Sequence, residues 1–245
     1  MWGIIPAAGM GSRIQPLAFS KELLPVGTCS AGSQDRPRAV SEYLIERMVA
    51  GGVDKICFVI SPGKSDILNY FGGHILSADI FYAVQPKPAG LCDAVFRARP
   101  LISPDEHVCI GLPDTIWFPE DGLQLLPNGD LSLLLFPVEH PESFDAVLTR
   151  EDDIVELIQV KDAAPASHWI WGALKMPGYL LADLHRMWLE SQDEYLGTLI
   201  NSYLRRGGRA FGIKAGQSYV DVGTLNGYRE ALRLLDGNPI ELHRA

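Results

Sequence analysis

The chain has 245 residues, of which 47% are hydrophobic and 21% charged, with 24 Gly and 17 Pro to supply turns; this is a globular composition and it excludes a disordered or low-complexity chain. The formal net charge of −9 would repel a phosphodiester backbone and no basic stripe offsets it, so a nucleic-acid partner is excluded while a locally basic nucleotide pocket is not. Met1-Trp2-Gly3-Ile4-Ile5-Pro6 lacks the regions of a secretory signal, and the densest apolar run, from Leu131 to Val138, is too short for a bilayer, so a cytoplasmic protein with no membrane partner is expected.

In chain order, strand-like runs at residues 3–7, 55–60, 80–83 and 107–111 alternate with helical patterns, which predicts βαβ units on a largely parallel sheet. Between the first two runs the spacing puts Val40, Tyr43, Leu44 and Met48 on one helical face, and Gly51-Gly52 ends that helix. Further crossover helices are expected at about 65–70 and 91–98. The second half departs from this alternation, with short strands at 131–138, 146–148, 154–159 and 169–174 preceding helices at about 179–190 and 196–206. Strands at 209–213 and 219–222 and a final helix at 225–235 complete a mixed sheet. Residues 27–36, rich in Gly and Ser and flanked by Pro25 and Pro37, read as a long loop, either a plain surface insertion or a lid or oligomer contact. With no repeat and no linker, we expect an α/β, doubly wound, predominantly parallel mixed sheet in a single domain spanning 1–245.

Cys29, Cys57, Cys92 and Cys109 form no CxxC pair and read as free thiols, and the six histidines lack HExxH or HxH spacing, so zinc is not expected. The chemistry concentrates where the first strand ends, in Pro6-Ala7-Ala8-Gly9-Met10-Gly11-Ser12-Arg13-Ile14-Gln15-Pro16-Leu17 followed by Ser20-Lys21-Glu22-Leu23-Leu24-Pro25. Small residues after a strand let backbone N–H groups approach phosphates, and Arg13 and Lys21 can neutralise their charge. GxGxxG fails at Ile14 and GxxxxGK(S/T) is absent, so this is neither of the commoner Gly-rich loops. The Gly9 and Gly11 pair alone would equally fit a tight turn between strand and helix.

The full string resembles the GxG(T/S)R(L/I)xPL…SK(E/Q)LLPV signature of the sugar-1-phosphate nucleotidyltransferases (sugar-nucleotide pyrophosphorylases), especially glucose-1-phosphate thymidylyltransferases. Four later segments resemble that family's motifs in order: Gln85-Pro86-Lys87-Pro88-Ala89-Gly90-Leu91-Cys92-Asp93-Ala94 its QxxPxGLAxA, Gly111-Leu112-Pro113-Asp114 its LGD, Val160-Lys161-Asp162 its EKP, and Asp221-Val222-Gly223-Thr224 its WxDxGT. The resemblance implies the GT-A-like, Rossmann-like nucleotidyltransferase fold, with a nucleotide-binding part at about 1–115 and a sugar-phosphate-binding part at about 116–245. It implies as substrates a nucleoside triphosphate and a sugar 1-phosphate, with Mg²⁺ as cofactor, and leaves a homo-oligomer open. By the same resemblance Ala8, Gly9, Gly11 and Ser12 would cradle triphosphate, Arg13 would hold its outer phosphates and Lys21 the α-phosphate. Gln85, Gly90 and Leu91 would read a pyrimidine, hence dTTP or UTP. Asp114 and Asp221 would bind Mg²⁺, Lys161 and Gly172 the sugar phosphate, and the catalytic set would be Arg13, Lys21, Asp114 and Lys161.

Alone, Gln85 would read as a solvated strand-end amide, Asp114 as a turn residue, and Asp221 or Thr224 as a cap for the last helix. Lys64 reads as an isolated solvated lysine. The chain departs from the family at Cys92, which replaces a small Ala, at Phe144-Asp145-Ala146-Val147, a loose match to FGV, and at Val160, where the family carries Glu. Val160 cannot offer a carboxylate to sugar hydroxyls, a loss worth roughly 1.5–3 kcal/mol, so glucose 1-phosphate is expected to be a poor substrate. Two other classes remain: a glycosyltransferase of related fold, for which Asp152-Asp153 is a poor DxD motif, and a noncatalytic nucleotide-sugar-binding regulator, against which the retained Arg13, Lys21, Asp114 and Asp221 count. No appended repeat domain of the kind a bifunctional acyltransferase would carry is expected.

Overall fold

The structure, a computed structural model, describes residues 1–31 and 34–236. The first strand, β1 (Trp2–Pro6), sends Ile4 to one face of the sheet and Ile5 to the other, both fully buried. A ribbon follows, β2 (Pro25–Ala31) and β3 (Gln34–Ala39), antiparallel with Thr28 opposite Pro37 and Cys29 opposite Arg36. This overturns the long loop expected at 27–36, apart from residues 32 and 33, which lie outside the described residues. Gly27, at φ +69°, sits where the ribbon's register shifts, and Pro37 is tolerated because the ribbon pairs on one side only. Arg36 anchors the ribbon through a two-pronged pair with Glu42 at 2.9 and 2.8 Å.

Helix α1 (Val40–Ala50) starts where the Glu42 carboxylate accepts the Ala39 N–H at 3.2 Å, and Gly51 ends it. Then come β4 (Lys55–Ile60), α2 (Ser65–Phe71), a two-residue edge strand β5 (His74–Ile75), β6 (Ala78–Val84), α3 (Gly90–Arg97) and β7 (His107–Gly111). A short β8 (Thr115–Phe118) has no counterpart in the sequence reading. The second half runs β9 (Leu131–Pro137), β10 (Ala146–Thr149), β11 (Val155–Gln159), β12 (Trp169–Pro177), α4 (Gly178–Ser191), α5 (Leu196–Arg205), β13 (Ala210–Ile213), β14 (Ser218–Asp221) and α6 (Leu225–Leu235).

Ten strands form one mixed sheet, parallel through β7, β1, β4 and β6 and antiparallel around β12, which pairs with β7, β9 and β10. The sheet is doubly wound. Leu44, Ile45 and Met48 of α1 and Ile67 and Phe71 of α2 bury against one face with Ile5 and Phe58. Val95 and Phe96 of α3, Leu181 and Leu184 of α4 and Leu199 and Ile200 of α5 bury against the other with Ile4 and Val108. The near-continuous apolar run of β4 follows from this burial on both faces. A separate pair, β8 and β14, packs Ile116 and Val220 against Val26 of the ribbon and Ala231 of α6. Cys57, Cys92 and Cys109 are buried free thiols, each pushed up to about 12 by burial. No helix among the described residues is long and apolar enough to cross a membrane.

Candidate active site

Parallel neighbours β1 and β7 end on the same edge of the sheet, and there a cleft of about 490 Å³ opens, at the carboxyl edge where open α/β sheets take ligands. Of the residues singled out in the sequence, Gly9, Arg13, Lys21, Leu91, Asp114, Lys161 and Asp221 line it. The two aspartates meet because β8 and β14 pair antiparallel with Asp221 opposite Thr115, and the Val222 N–H donates to the Asp114 carbonyl at 2.8 Å. A Cβ placed on Gly223 would stand 2.8 Å from Asp221 Oδ1 and 2.9 Å from Asp114 Oδ2, so both carboxylates converge on that glycine.

Each aspartate is paired. Lys21 Nζ binds Asp114 Oδ2, and Arg13 Nη1 lies 3.0 Å from Asp221 Oδ2. Burial would lower the pKa of Lys21, but the adjacent Asp114 carboxylate, with Glu22 and Asp221 beyond it, outweighs burial and raises it, so the ammonium is firmly charged. Gly11, at φ +64°, gives the turn its path, and a side chain there would meet Lys21 Cδ at 2.9 Å. Ala8 is buried, Ser12 is exposed, and neither they nor Gly11 line the cleft. Behind the turn, Ser20 donates its N–H and hydroxyl to Asp66 at 2.6 and 2.7 Å. Lys64 is not the isolated surface lysine expected: it forms hydrogen bonds of 2.7 and 2.8 Å with the fully buried Glu22. Burial nevertheless holds the Glu22 carboxyl above its ordinary range, against the pull of Lys64. Thr224 caps α6 by accepting the Gly227 N–H at 3.0 Å, while Asp221 accepts the Gly223 N–H at 2.8 Å.

Gln85 is buried at the start of the segment leading to α3, and its Nε2 donates to the Gly90 carbonyl at 3.1 Å and to Asp93 Oδ2 at 2.8 Å. Both bonds use the amide N–H groups and fix its orientation, and neither Gln85 nor Gly90 is among the residues that line the cleft. Gly90 stands at φ +82°, and a Cβ there would come within 2.7 Å of the Glu194 carbonyl. That carbonyl accepts the N–H groups of Leu91 and Cys92 at 3.0 and 3.3 Å, tying α3 to the α4–α5 connection.

On the far side the lining includes Phe144, Asp145, Trp171, Tyr195 and Tyr219, none of which the sequence reading placed in a site. The Asp145 carboxyl is pushed up by burial, in opposition to Lys161 nearby. Tyr219, between the two ends, is raised well above its ordinary value by burial first and then by Asp221 and Asp114. Lys161 is exposed, at φ +51°, with its Nζ 6.0 Å from the Tyr195 ring centroid. Gly172 lies behind the lining, where a Cβ would strike Phe136 and Tyr219 at 2.6 Å. Asp152 and Asp153 sit on an exposed turn outside the cleft. The described residues hold no group of three or more His, Cys, Asp or Glu side chains placed to hold a metal ion. What they offer a divalent ion is the Asp114 and Asp221 pair, a donor set that suits Mg²⁺, which takes one or two carboxylates and completes its shell with phosphate oxygens and water.

Three comparisons bear on this geometry. A glucose-1-phosphate thymidylyltransferase from Neisseria meningitidis serogroup A is 30% identical over 178 residues, covering 69% of this chain and 58% of the relative. The one from Mycolicibacterium smegmatis is 27% identical over 242 residues, covering 94% and 81%. The matched stretch thus spans little more than half of the first relative and four fifths of the second. A Bacillus anthracis structure assigned as a glucose-1-phosphate thymidylyltransferase, in complex with a sucrose, shares the fold with a TM-score of 0.80 at 21% identity, covering 96% of this chain and 95% of that one. The family model described as nucleotidyl transferase matches residues 2–236, and the chain belongs to that family.

Proposed function

We propose that this protein joins a sugar 1-phosphate to a pyrimidine nucleoside triphosphate, dTTP or UTP, and releases pyrophosphate. The single observation carrying this reading is the pairing of Lys21 with Asp114 and of Arg13 with Asp221 at one end of a cleft whose other end carries Asp145, Lys161 and Trp171. A triphosphate with its metal matches the first end charge for charge: cations for the phosphates, carboxylates for the metal. An oxygen of the sugar phosphate attacks the α-phosphorus in line, the bond from that phosphorus to the bridging oxygen breaks, and pyrophosphate leaves with the electron pair. No protein nucleophile is required. Lys21, held positive beside the reacting end, stabilises charge developing on the α-phosphoryl oxygens, Arg13 steadies the leaving pyrophosphate, and Lys161 orients the incoming phosphate. Asp114 and Asp221 would hold Mg²⁺, which supplies charge neutralisation and phosphate orientation. Gln85 Oε1 and the backbone near Gly90 would meet the imide edge of a pyrimidine. The whole chain acts as one domain in this reading, with the Glu194 contact to α3 joining the nucleotide part to the sugar part.

The test is pyrophosphate release over a grid of dTTP, UTP, ATP and GTP against several sugar 1-phosphates. We expect turnover that needs both substrates and is best with a pyrimidine. Equal efficiency with GTP would remove the pyrimidine reading, and no turnover with any pair would remove the enzyme reading.

A further inference from the structure

The sequence leaves the sugar end short of a carboxylate, because Val160 stands where the family carries Glu. The fold puts one back from the neighbouring strand. β10 and β11 run antiparallel with Ala146 opposite Gln159, so one step further Asp145 stands opposite Val160. Residues opposite each other in an antiparallel pair face the same side. The surroundings of Gly197 show it directly: a Cβ placed there would lie 2.6 Å from Val160 Cγ2 and 3.6 Å from Asp145 Oδ2. A carboxylate absent at 160 is therefore present across the strand pair, in a half-buried position on the cleft wall.

Its partners are incomplete in an informative way. Asp145 Oδ1 accepts the backbone N–H of Lys161 at 3.3 Å, a long bond that leaves most of the carboxylate's accepting capacity unused. Trp171 also lines the cleft and is only 6% exposed, and its indole Nε1–H, itself buried, has no hydrogen-bond partner among the described residues. That N–H lies close enough to Asp145 to help lower its pKa, but it does not meet the carboxylate in hydrogen-bond geometry. A buried donor without a partner next to a carboxylate with spare acceptor sites asks for a group that accepts from one and donates to the other. An alcohol hydroxyl does both. Trp171 and Tyr195 both line the cleft, and aromatic side chains offer apolar surface of the kind that packs against the C–H face of a pyranose.

We propose that Asp145 and Trp171 read one hydroxyl of the sugar, with the indole N–H donating to the hydroxyl oxygen and the hydroxyl donating to Asp145. This rests on the sugar-phosphate reading above and revises the expectation that Val160 makes glucose 1-phosphate a poor substrate: the acceptor function is kept and its position moves across the β10–β11 pair. The substrate class is a neutral, hydroxylated hexose 1-phosphate.

The test compares the parent with Asp145→Ala, Asp145→Asn, Trp171→Phe and, as a rescue pair, Asp145→Gly beside the double variant Asp145→Gly/Val160→Glu, on hexose 1-phosphates and their monodeoxy analogues. In Asp145→Ala and Asp145→Asn we expect the KM for the sugar phosphate to rise on the order of ten- to a hundredfold. The KM for the nucleotide and the melting temperature should stay near parental values. Trp171→Phe should lose less, and moving the carboxylate to 160 should restore part of the loss relative to Asp145→Gly alone. The deoxy analogue lacking the recognised hydroxyl should show almost no penalty from Asp145→Ala, because that contact is already gone. Asp145→Asn guards against misfolding, since it preserves shape. Parental turnover with an unchanged sugar KM in both Asp145→Ala and Asp145→Asn, or an equal penalty on every deoxy analogue, would overturn the proposal alone. A parent inactive on every sugar phosphate would instead overturn the reading beneath it, and the proposal with it.

Discussion

At the Arg13 end of the cleft four charged groups answer one another in two pairs, whereas at the Asp145 end a half-buried carboxylate is met by a backbone N–H, an unpartnered indole N–H and a lysine held further off. The difference is chemical. Paired charges can exchange partners with a ligand that carries both signs without leaving any charge buried alone, which suits a metal-bound triphosphate. A carboxylate with spare acceptor sites and no salt bridge among the described residues is satisfied well by neutral donors, which suits hydroxyls. In the proposed reading one end of the cleft takes charge and the other takes a hydrogen-bond pattern, and the charged end draws Asp221 from the second half of the chain to meet Arg13, Lys21 and Asp114 from the first.

The largest effects are expected at the charged end. Asp114→Asn and Asp221→Asn should each lower kcat/KM on the order of a hundredfold or more, and calorimetry should show that nucleotide binding loses its Mg²⁺ dependence. Sugar selectivity should not change, because the neutral end is untouched. Turnover near parental rates in both variants would remove the two-aspartate site.

A smaller effect is expected where the halves are joined. Gly90→Ala forces a side chain into a left-handed position within 2.7 Å of the Glu194 carbonyl, so it should cost roughly 1–3 kcal/mol of stability and loosen the start of α3. The melting temperature should fall by several degrees, and the KM for the nucleotide should rise more than that for the sugar phosphate. Equal rises in both would mean that the Glu194 contact serves the whole fold and does not favour the base-facing segment.

That the residues of the charged end would gather in one cleft was largely legible in the sequence, because they sit in short strings next to strand ends. Gly9, Arg13 and Lys21 come from one such string, and Asp114 and Asp221 each follow or end a short strand. The pairing was not legible: that Lys21 answers Asp114 depends on β8 meeting β14, and β8 is four residues long after a Pro-Asp turn. Lys64 was misread for the same reason, since its partner Glu22 lies inside a motif read for phosphate. The ribbon at 25–39 was hidden by its Gly, Ser and Pro content, which a two-stranded edge tolerates and a central strand does not. Helix positions were recovered well, from α1 through α6, because long periodic apolar faces survive one-residue errors at their ends. The neutral end was least legible. Asp145 marked only a motif mismatch, and its proximity to Val160 and Trp171 follows from β10 lying between β11 and β12.

The proposed reaction is direct transfer between two bound substrates, with no protein nucleophile. It is tested most directly by exchange of labelled pyrophosphate into the nucleoside triphosphate, measured with and without a sugar 1-phosphate in the presence of Mg²⁺. Exchange should depend wholly on the sugar phosphate, since only the nucleotide sugar can return its nucleotidyl group to pyrophosphate. Exchange at a comparable rate with the nucleotide alone would reveal a nucleotidyl-protein intermediate and contradict it.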